Sequence, residues 1–481
     1  MPSNIEFPEL FTYLTAIIYA ANIIIGFFAV FFDRRSPSVT WAWLMVIALI
    51  PYVGFLIYLM FGFESRKHAA FMKKSKQDEQ IIKDASAFWK HKPLDQAPTS
   101  LRDDDLVKLI HTLGGHGLTT NNALVIYHEG NTKYEQLLKD IKNAKVFIHM
   151  QYYIMKNGEL GRAVLTALAE KAREGVEVKV SVDAMGSLPL TKRFFKPLIN
   201  AGGEVIMFRS PILVRLNYHN HRKICIIDGI IGYTGGLNIG DEYLGKAKRF
   251  GFWRDTHIRI TGDAVKDLEI RFICDWNCCA KKKITDFQTH LPSLNVKRDG
   301  IPIQIVSSGP DTRWPSILYS YNKMVTEANK SIYIETPYFI PDDNLLGSLR
   351  VAALSGIDVR IVIPANPDHV LVYWASLSYL GDLLKAGARC YKYENGFIHS
   401  KLMIQDGMVS SVGTANMDIR SLKLNFEVNA VIYDADAAAA LEVQFFRDLE
   451  KCTEITTEWY LQRSPLIKVK ESIGRLLSPL L

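Results

Sequence analysis

Two uninterrupted apolar runs stand near the start of the chain. Residues 10–32 and 40–62 each lack a charged side chain. As helices rising ~1.5 Å per residue, both reach across the ~30 Å hydrocarbon core of a bilayer. Residues 33–38, Asp-Arg-Arg-Ser-Pro-Ser, form a tight connector, so residues 1–62 predict a transmembrane helical hairpin with a kink at Pro51. The first run is too long for a signal peptide and lacks its basic flank. Residues 63–122 then turn polar and charged, a linker or collar. Beyond them the apolar period alternates between helix and strand, and it does so twice. Val146-Phe147-Ile148-His149-Met150-Gln151-Tyr152-Tyr153-Ile154 reads as the counterpart of Ile332-Tyr333-Ile334-Glu335-Thr336-Pro337-Tyr338-Phe339-Ile340. Gly175-Val176-Glu177-Val178 likewise matches Gly356-Ile357-Asp358-Val359. This predicts an α/β chain of two α/β/α sandwich halves, 123–288 and 301–481, in pseudo-two-fold arrangement across a seam at 289–300.

Each half carries the same polar signature inside an apolar strand pattern. His221-Arg222-Lys223…Asp228 and His399-Ser400-Lys401…Asp406 share the spacing His-x-Lys-x4-Asp. Gly235-Gly236-Leu237-Asn238 follows the first, and Gly413-Thr414-Ala415-Asn416 the second. The residues between Lys and Asp read as strands ending in Asp-Gly turns. On a strand, His and Lys two apart share a face, whereas Asp seven along has opposite parity and lies ~20 Å from the His. That spacing assigns Asp228 and Asp406 to the turns. The returning strand brings Asn238 and Asn416 back beside His and Lys. Imidazole, ammonium and amide at one spot suit a phosphodiester, with Lys balancing charge, Asn donating a hydrogen bond and His handling a proton or a covalent bond. His219 beside His221 has no carboxylate or cysteine at metal-ligand spacing, so a loop-lining role and no metal requirement are expected.

With these motifs the chain resembles the phospholipase D superfamily, and within it the bacterial cardiolipin synthases. The likeness covers nearly the whole chain, Arg34-Arg35 in the connector included. The resemblance implies no cofactor and a catalytic set of His221, Lys223, Asp228, His399, Lys401 and Asp406, which counts in the two aspartates that strand parity assigns to turns. By analogy His221 is the nucleophile, and His399 is first acid, then base. Lys223 and Lys401, with Asn238 and Asn416, hold the non-bridging oxygens. Thr414 adds a hydroxyl where the first half has only Gly236. Asp255 in Trp253-Arg254-Asp255 and Glu427 in Asn425-Phe426-Glu427 match the acids that orient the histidines. The implied reaction joins two phosphatidylglycerol molecules into cardiolipin and glycerol through a phosphatidyl-histidine, with no ATP. Two histidines in opposite protonation states imply a bell-shaped pH profile.

Composition adds the setting. A net charge of +7 over 481 residues suits an anionic surface. Five basic residues (Arg66, Lys67, Lys73, Lys74, Lys76) follow the second run against two in the connector, which places the catalytic domain in the cytoplasm, at the cell membrane. The six cysteines show no paired framework, and Cys274, Cys278 and Cys279 read as a reduced cluster. The implied partners are phosphatidylglycerol, cardiolipin and the bilayer, without nucleic acid; homo-oligomerisation stays open. Ile212-Leu213-Val214 reads either as a loop for acyl chains or as a buried strand. Tyr152 and Tyr338 are cleft linings or core, and the segment Asn366-Pro367-Asp368-His369-Val370, which resembles a signature of that family, either meets ligand after a strand end or has His369 only as a helix cap. The tail after Trp459 is amphipathic, suited to the membrane or to the second half. A hydrolytic phospholipase D, another phosphatidyltransferase or, more remotely, a nuclease would use the same residues; a non-enzymatic membrane scaffold is the remaining class.

Overall fold

The computed structural model describes the chain apart from residues 1–6, 33–36, 51–52, 59–63, 92, 97, 115–116, 189, 210–217, 293–299 and 479–481. The connector residues 33–36, Pro51 and the Ile212-Leu213-Val214 loop fall outside the described residues. The described residues within 1–76 form one compact unit, and those within 77–209 and 218–481 another.

In the first unit, the first apolar run is a helix, Phe7–Phe31. The second is divided between Pro37–Leu49 and Val53–Ile57. The Tyr19 hydroxyl donates to the Ala48 carbonyl at 3.0 Å, and Val30, Ile47 and Tyr58 close a small buried cluster. Among the described residues no helix is long and apolar enough to cross a membrane.

The second unit holds two eight-stranded sheets and a small two-stranded one among its described residues. The first comprises β1 (Asn122–Glu129), β2 (Phe147–Tyr152), β3 (Glu177–Asp183), β4 (Glu204–Phe208), β5 (Ile224–Ile227), β6 (Ile231–Gly235) and β7 (Trp253–Gly262). The other half supplies β8 (Ile303–Ser308), β9 (Ser331–Glu335), β10 (Phe339–Ile340), β11 (Asp358–Pro364), β12 (Arg389–Tyr393), β13 (Phe397–Ile398), β14 (Leu402–Gln405), β15 (Val409–Gly413), β16 (Met417–Asp418), β17 (Glu427–Tyr433) and β18 (Cys452–Glu454). The strand orders are β1-β7-β6-β5-β2-β3-β4 and β18-β12-β11-β9-β14-β15-β17-β8. Both centre on the motif hairpin, β5-β6 in one sheet and β14-β15 in the other. Each hairpin turns on an aspartate in the left-handed region, Asp228 (φ 54°) and Asp406 (φ 55°), followed by glycine.

Register corrects one detail of the internal repeat. Gln151 pairs with Ile224 in the first sheet, and Glu335 with Leu402 in the second. Glu335 therefore corresponds to Gln151, two residues from the His149 match read in sequence. A slip of two keeps strand parity, so the apolar pattern could not detect it.

One apolar core lies outside each sheet, and a third is shared, where Ile224, Ile226 and Ile260 join Leu402, Ile404 and Val428. The segment expected as a polar collar also enters a core. Leu106, Val107, Ile110 and Leu118 are buried with residues of the second half, and Ile81 and Ala85 join the shared core. The helical spacing of 106, 107 and 110 carried that signal. At the far end, helix Pro465–Leu477 lies against Val370–Leu384, with a Gly474 Cβ position only 2.7 Å from Ala375 N. Its Leu466, Val469, Ile473 and Leu476 are exposed.

Candidate active site

The two halves interlock where the motifs lie. Backbone segments cross from each half to the other: Phe397 and Ile398 pair in parallel with Trp253 and Arg254 of β7, and Asn220 bridges Phe426 beside β17. His399 N donates to the Arg254 carbonyl at 2.7 Å, and His221 N to the Phe426 carbonyl at 3.0 Å. Each histidine thus sits one residue out of register with the acid at the edge of the opposite half.

The acids are shared crosswise. Glu427, from the second half, holds His221 Nδ1 at 2.9 and 3.0 Å through its two oxygens. Asp255, from the first half, holds His399 Nδ1 at 2.7 Å. Both carboxylates are fully buried. A carboxylate on Nδ1 places the ring proton there and leaves the Nε2 lone pair free for chemistry. In sequence each acid simply follows the motif of its own half; the exchange between halves is not legible there.

The lysines lie in the same charge cluster. Lys223 Nζ donates to the His221 carbonyl at 2.6 Å, and Lys401 to that of His399. Burial pushes Lys223 down to about 7, and Lys401 repels its charge further. Burial likewise takes Lys401 down to about 8. His399 is pushed down to about 4 by burial and then by Lys401, with Asp255 opposing. His221 is lowered too, by burial first, while Glu427 raises it. Such a site is short of negative charge, a setting for an anion.

The remaining expected residues divide. Asn238 donates from Nδ2 to the Tyr243 hydroxyl at 3.0 Å and accepts from Ile154 N at 3.1 Å, which leaves one amide hydrogen. The Asn416 amide bonds Asp418, and its carbonyl oxygen has no partner among the described residues. Thr414 does not present its hydroxyl to a ligand. That hydroxyl donates to Glu427 Oε2 at 2.5 Å and accepts from Val428 N at 2.9 Å, so it positions the acid. At Gly236, the equivalent place, a Cβ would meet Asp255 Oδ1 at 1.9 Å, so the departure to glycine makes room for the acid.

Asp228 and Asp406 leave the catalytic set. Asp228 accepts from the backbone N–H groups of Lys145, Val146 and Phe147 at 2.7–3.0 Å. Asp406 does the same for Asn329, Lys330 and Ser331 at 2.7–2.9 Å. They clamp the motif hairpin to the start of the neighbouring strand, as strand parity implied.

Several contributors lay outside the motifs. Arg222 and Arg254, each almost wholly buried, brace the two acid strands. Arg222 bonds Asp275 at 2.6 Å and the Glu427 carbonyl at 3.0 Å. Arg254 bonds Asp448 at 2.5 Å and Glu335 at 3.2 Å. Asp275 inside the apolar run Phe272-Ile273-Cys274-Asp275-Trp276 was a readable signal of a buried ion pair. His219 has a carboxylate after all: Asp183, at the end of β3, lies 3.7 Å from its Nδ1, a contact made by the fold. Tyr153 lies over His221 with ring centroids 4.8 Å apart, whereas Tyr152 is buried and accepts from Lys133 at 2.9 Å. The cleft tyrosine is one residue further along than expected. Tyr338 bonds Asp368, which ties the 366–370 segment to the site's edge.

A family model described as "Cardiolipin synthase, PLD-like domain" matches residues 137–250 and 321–449, and a phospholipase D-nuclease N-terminal model matches 20–62. The major cardiolipin synthase of Bacillus subtilis is 47% identical over 478 residues, covering 97% of this chain and 99% of that one. A cardiolipin synthase of Oceanobacillus iheyensis is 44% identical over 481 residues, at 97% and 99% coverage. The fold is shared with a phosphatidylserine synthase of Haemophilus influenzae (TM-score 0.59, 15% identity, 78% of this chain and 97% of that one). With both duplicated motifs inside the matched segments and the likeness running nearly end to end, this chain belongs to the cardiolipin synthases of the phospholipase D superfamily.

Proposed function

We infer that the chain transfers a phosphatidyl group from one phosphatidylglycerol to another, giving cardiolipin and glycerol. The observation that carries this is the pair of reciprocal carboxylate–histidine contacts, Glu427 on His221 and Asp255 on His399, in one cluster with two buried lysines. His221 Nε2 attacks phosphorus, and the P–O bond to glycerol breaks. His399 delivers its Nε2 proton to the departing oxygen. A second phosphatidylglycerol then yields its glycerol hydroxyl proton to His399 as that oxygen displaces His221. Bonds and charge balance, one phosphodiester being exchanged for another. Lys223, Lys401 and the amides of Asn238 and Asn416 serve the non-bridging oxygens. The arriving anion offsets the lysine charges that depress His399, which favours its imidazolium form before the leaving group needs a proton.

The reaction is proposed at the cytoplasmic face of the cell membrane. Two uncharged runs at 10–32 and 40–62 and the basic excess after them support a hairpin anchor. The exposed Leu466, Val469, Ile473 and Leu476 on the tail helix fit an interfacial contact.

The test supplies purified protein in vesicles with phosphatidylglycerol alone and no nucleotide. Cardiolipin with matching free glycerol, lost in His221→Ala and His399→Ala, is the expected result. Phosphatidic acid as the main product would instead make the chain a hydrolase. No turnover at all would overturn the substrate assignment.

A further inference from the structure

A second cluster of histidine and carboxylate stands at the opposite end of β2 from Tyr153, unused by the reaction. His149 on β2, Glu177 at the start of β3 and His290 at the end of the short helix Phe287–His290 bring one ligand atom each to within 4.8 Å of one another. His149 Nε2 lies 3.1 Å from Glu177 Oε1, and His290 Nε2 lies 2.9 Å from the same oxygen.

The other ring nitrogens are already committed. His290 Nδ1 lies 2.5 Å from the Asp286 carbonyl, which can only accept, so Nδ1 carries the proton. His149 Nδ1 lies 2.7 Å from Glu269 Oε1, a fully buried carboxylate. In the neutral rings both Nε2 lone pairs then face a carboxylate oxygen that is itself only an acceptor. Two extra protons would place two imidazolium charges and the Lys179 ammonium, already on Glu177, against the two carboxylates Glu177 and Glu269. A single divalent ion supplies the same charge and satisfies all three lone pairs.

Two of the three ligand–ligand edges agree, and the third is within 4.8 Å. A tetrahedral zinc ion with ligands at ~2.05 Å sets them ~3.3 Å apart, close to the two observed edges. Glu269 on His149 and the Asp286 carbonyl on His290 are the outer partners that metal-bound histidines use to fix their tautomer. The second oxygen of Glu269 is buried without a hydrogen-bond partner among the described residues. Glu177 keeps 39% of its side chain exposed, which gives an entry path.

We propose that His149, Glu177 and His290 form a structural site for a borderline divalent ion such as Zn2+, tying the chain that leaves the first half to the β2-β3 edge. It is independent of the catalytic reading.

The experiment uses the full-length protein in detergent, stripped with chelator and titrated with Zn2+, then with Co2+ as a spectroscopic substitute. About one ion per chain is expected, with the visible absorption of a tetrahedral Co2+ site lacking thiolate charge transfer. Glu269→Gln should weaken Zn2+ ~10–100-fold, and Glu177→Gln and His290→Ala should weaken it more. Glu177→Gln sits on a half-exposed residue and keeps the test open should His290→Ala not fold. Less than about a tenth of an ion per chain, uptake indifferent to Glu177→Gln, or a thiolate signature from the cysteines would each overturn the proposal.

Discussion

Replacing Asp255 by asparagine should reproduce the defect of losing His399, which belongs to the other half, rather than that of losing His221 in its own. The carboxylate meets His399 Nδ1 at 2.7 Å, has no exposed surface, and is held from behind by Thr256 N at 2.8 Å. Water cannot replace it. A hydrogen bond to a charged group is worth ~1.5–3 kcal/mol, which is ~10–150-fold in rate. The amide does further harm because its NH2 donates to Nδ1 and moves the ring proton to Nε2. A reversed tautomer of this kind costs up to ~10^4-fold in kcat. Phosphatidylglycerol turnover should therefore fall between ~10^2 and ~10^4-fold. A donor with a nitrophenolate leaving group needs no protonation, so Asp255→Asn should still release one equivalent of nitrophenol in a burst. It should then stall, because the second step needs His399 as base. Glu427→Gln should suppress the burst itself. Near-normal turnover in Asp255→Asn, or a burst retained in Glu427→Gln and absent from Asp255→Asn, would refute the assignment of His399 to acid-base work.

Four further outcomes follow from contacts and charges of the same site. Asp228→Ala and Asp406→Ala each remove three backbone hydrogen bonds, so melting temperature should drop with ~1–3 kcal/mol of stability while kcat well below the melt stays within about twofold. Gly236→Ala drives a methyl against Asp255 Oδ1 and should cut activity as deeply as Asp255→Asn, with little loss of lipid binding in a vesicle sedimentation assay. Lys223 and Lys401 titrate near 7 and 8 in the free site, so substrate anions bind best below those values. KM should rise with pH above about 8. His399 works oppositely on stability: its folded value of about 4 lies below the ordinary ~6.5, so the unfolded chain binds the extra proton between them. Stability measured by denaturant should accordingly fall as pH drops from ~6.5 to ~4, by up to ~3 kcal/mol.

The duplicated sandwich and the four motif side chains were legible because local spacing encodes them. Strand parity separates His and Lys from Asp228 and Asp406, and the Asp-Gly turns mark the hairpins. What stayed hidden depends on contacts distant in sequence. Nothing near Glu427 indicates that it serves a histidine some two hundred positions earlier. The Thr414 hydroxyl looked available because the chain does not record that Glu427 and Val428 N already occupy it. The two-residue slip between β2 and β9 was invisible because it preserves the alternation that reveals a strand. Residues 105–118 were misread for another reason: charged neighbours raise the segment's average polarity although Leu106, Val107 and Ile110 share one helical face.

The crosswise sharing of acids changes what it means for the two halves to separate. A hinge opening between them would withdraw Glu427 from His221 and Asp255 from His399 in a single movement. In that movement both histidines lose their partners. Such a site is a two-key lock: in a hinge opening the two imidazoles are armed together or disarmed together.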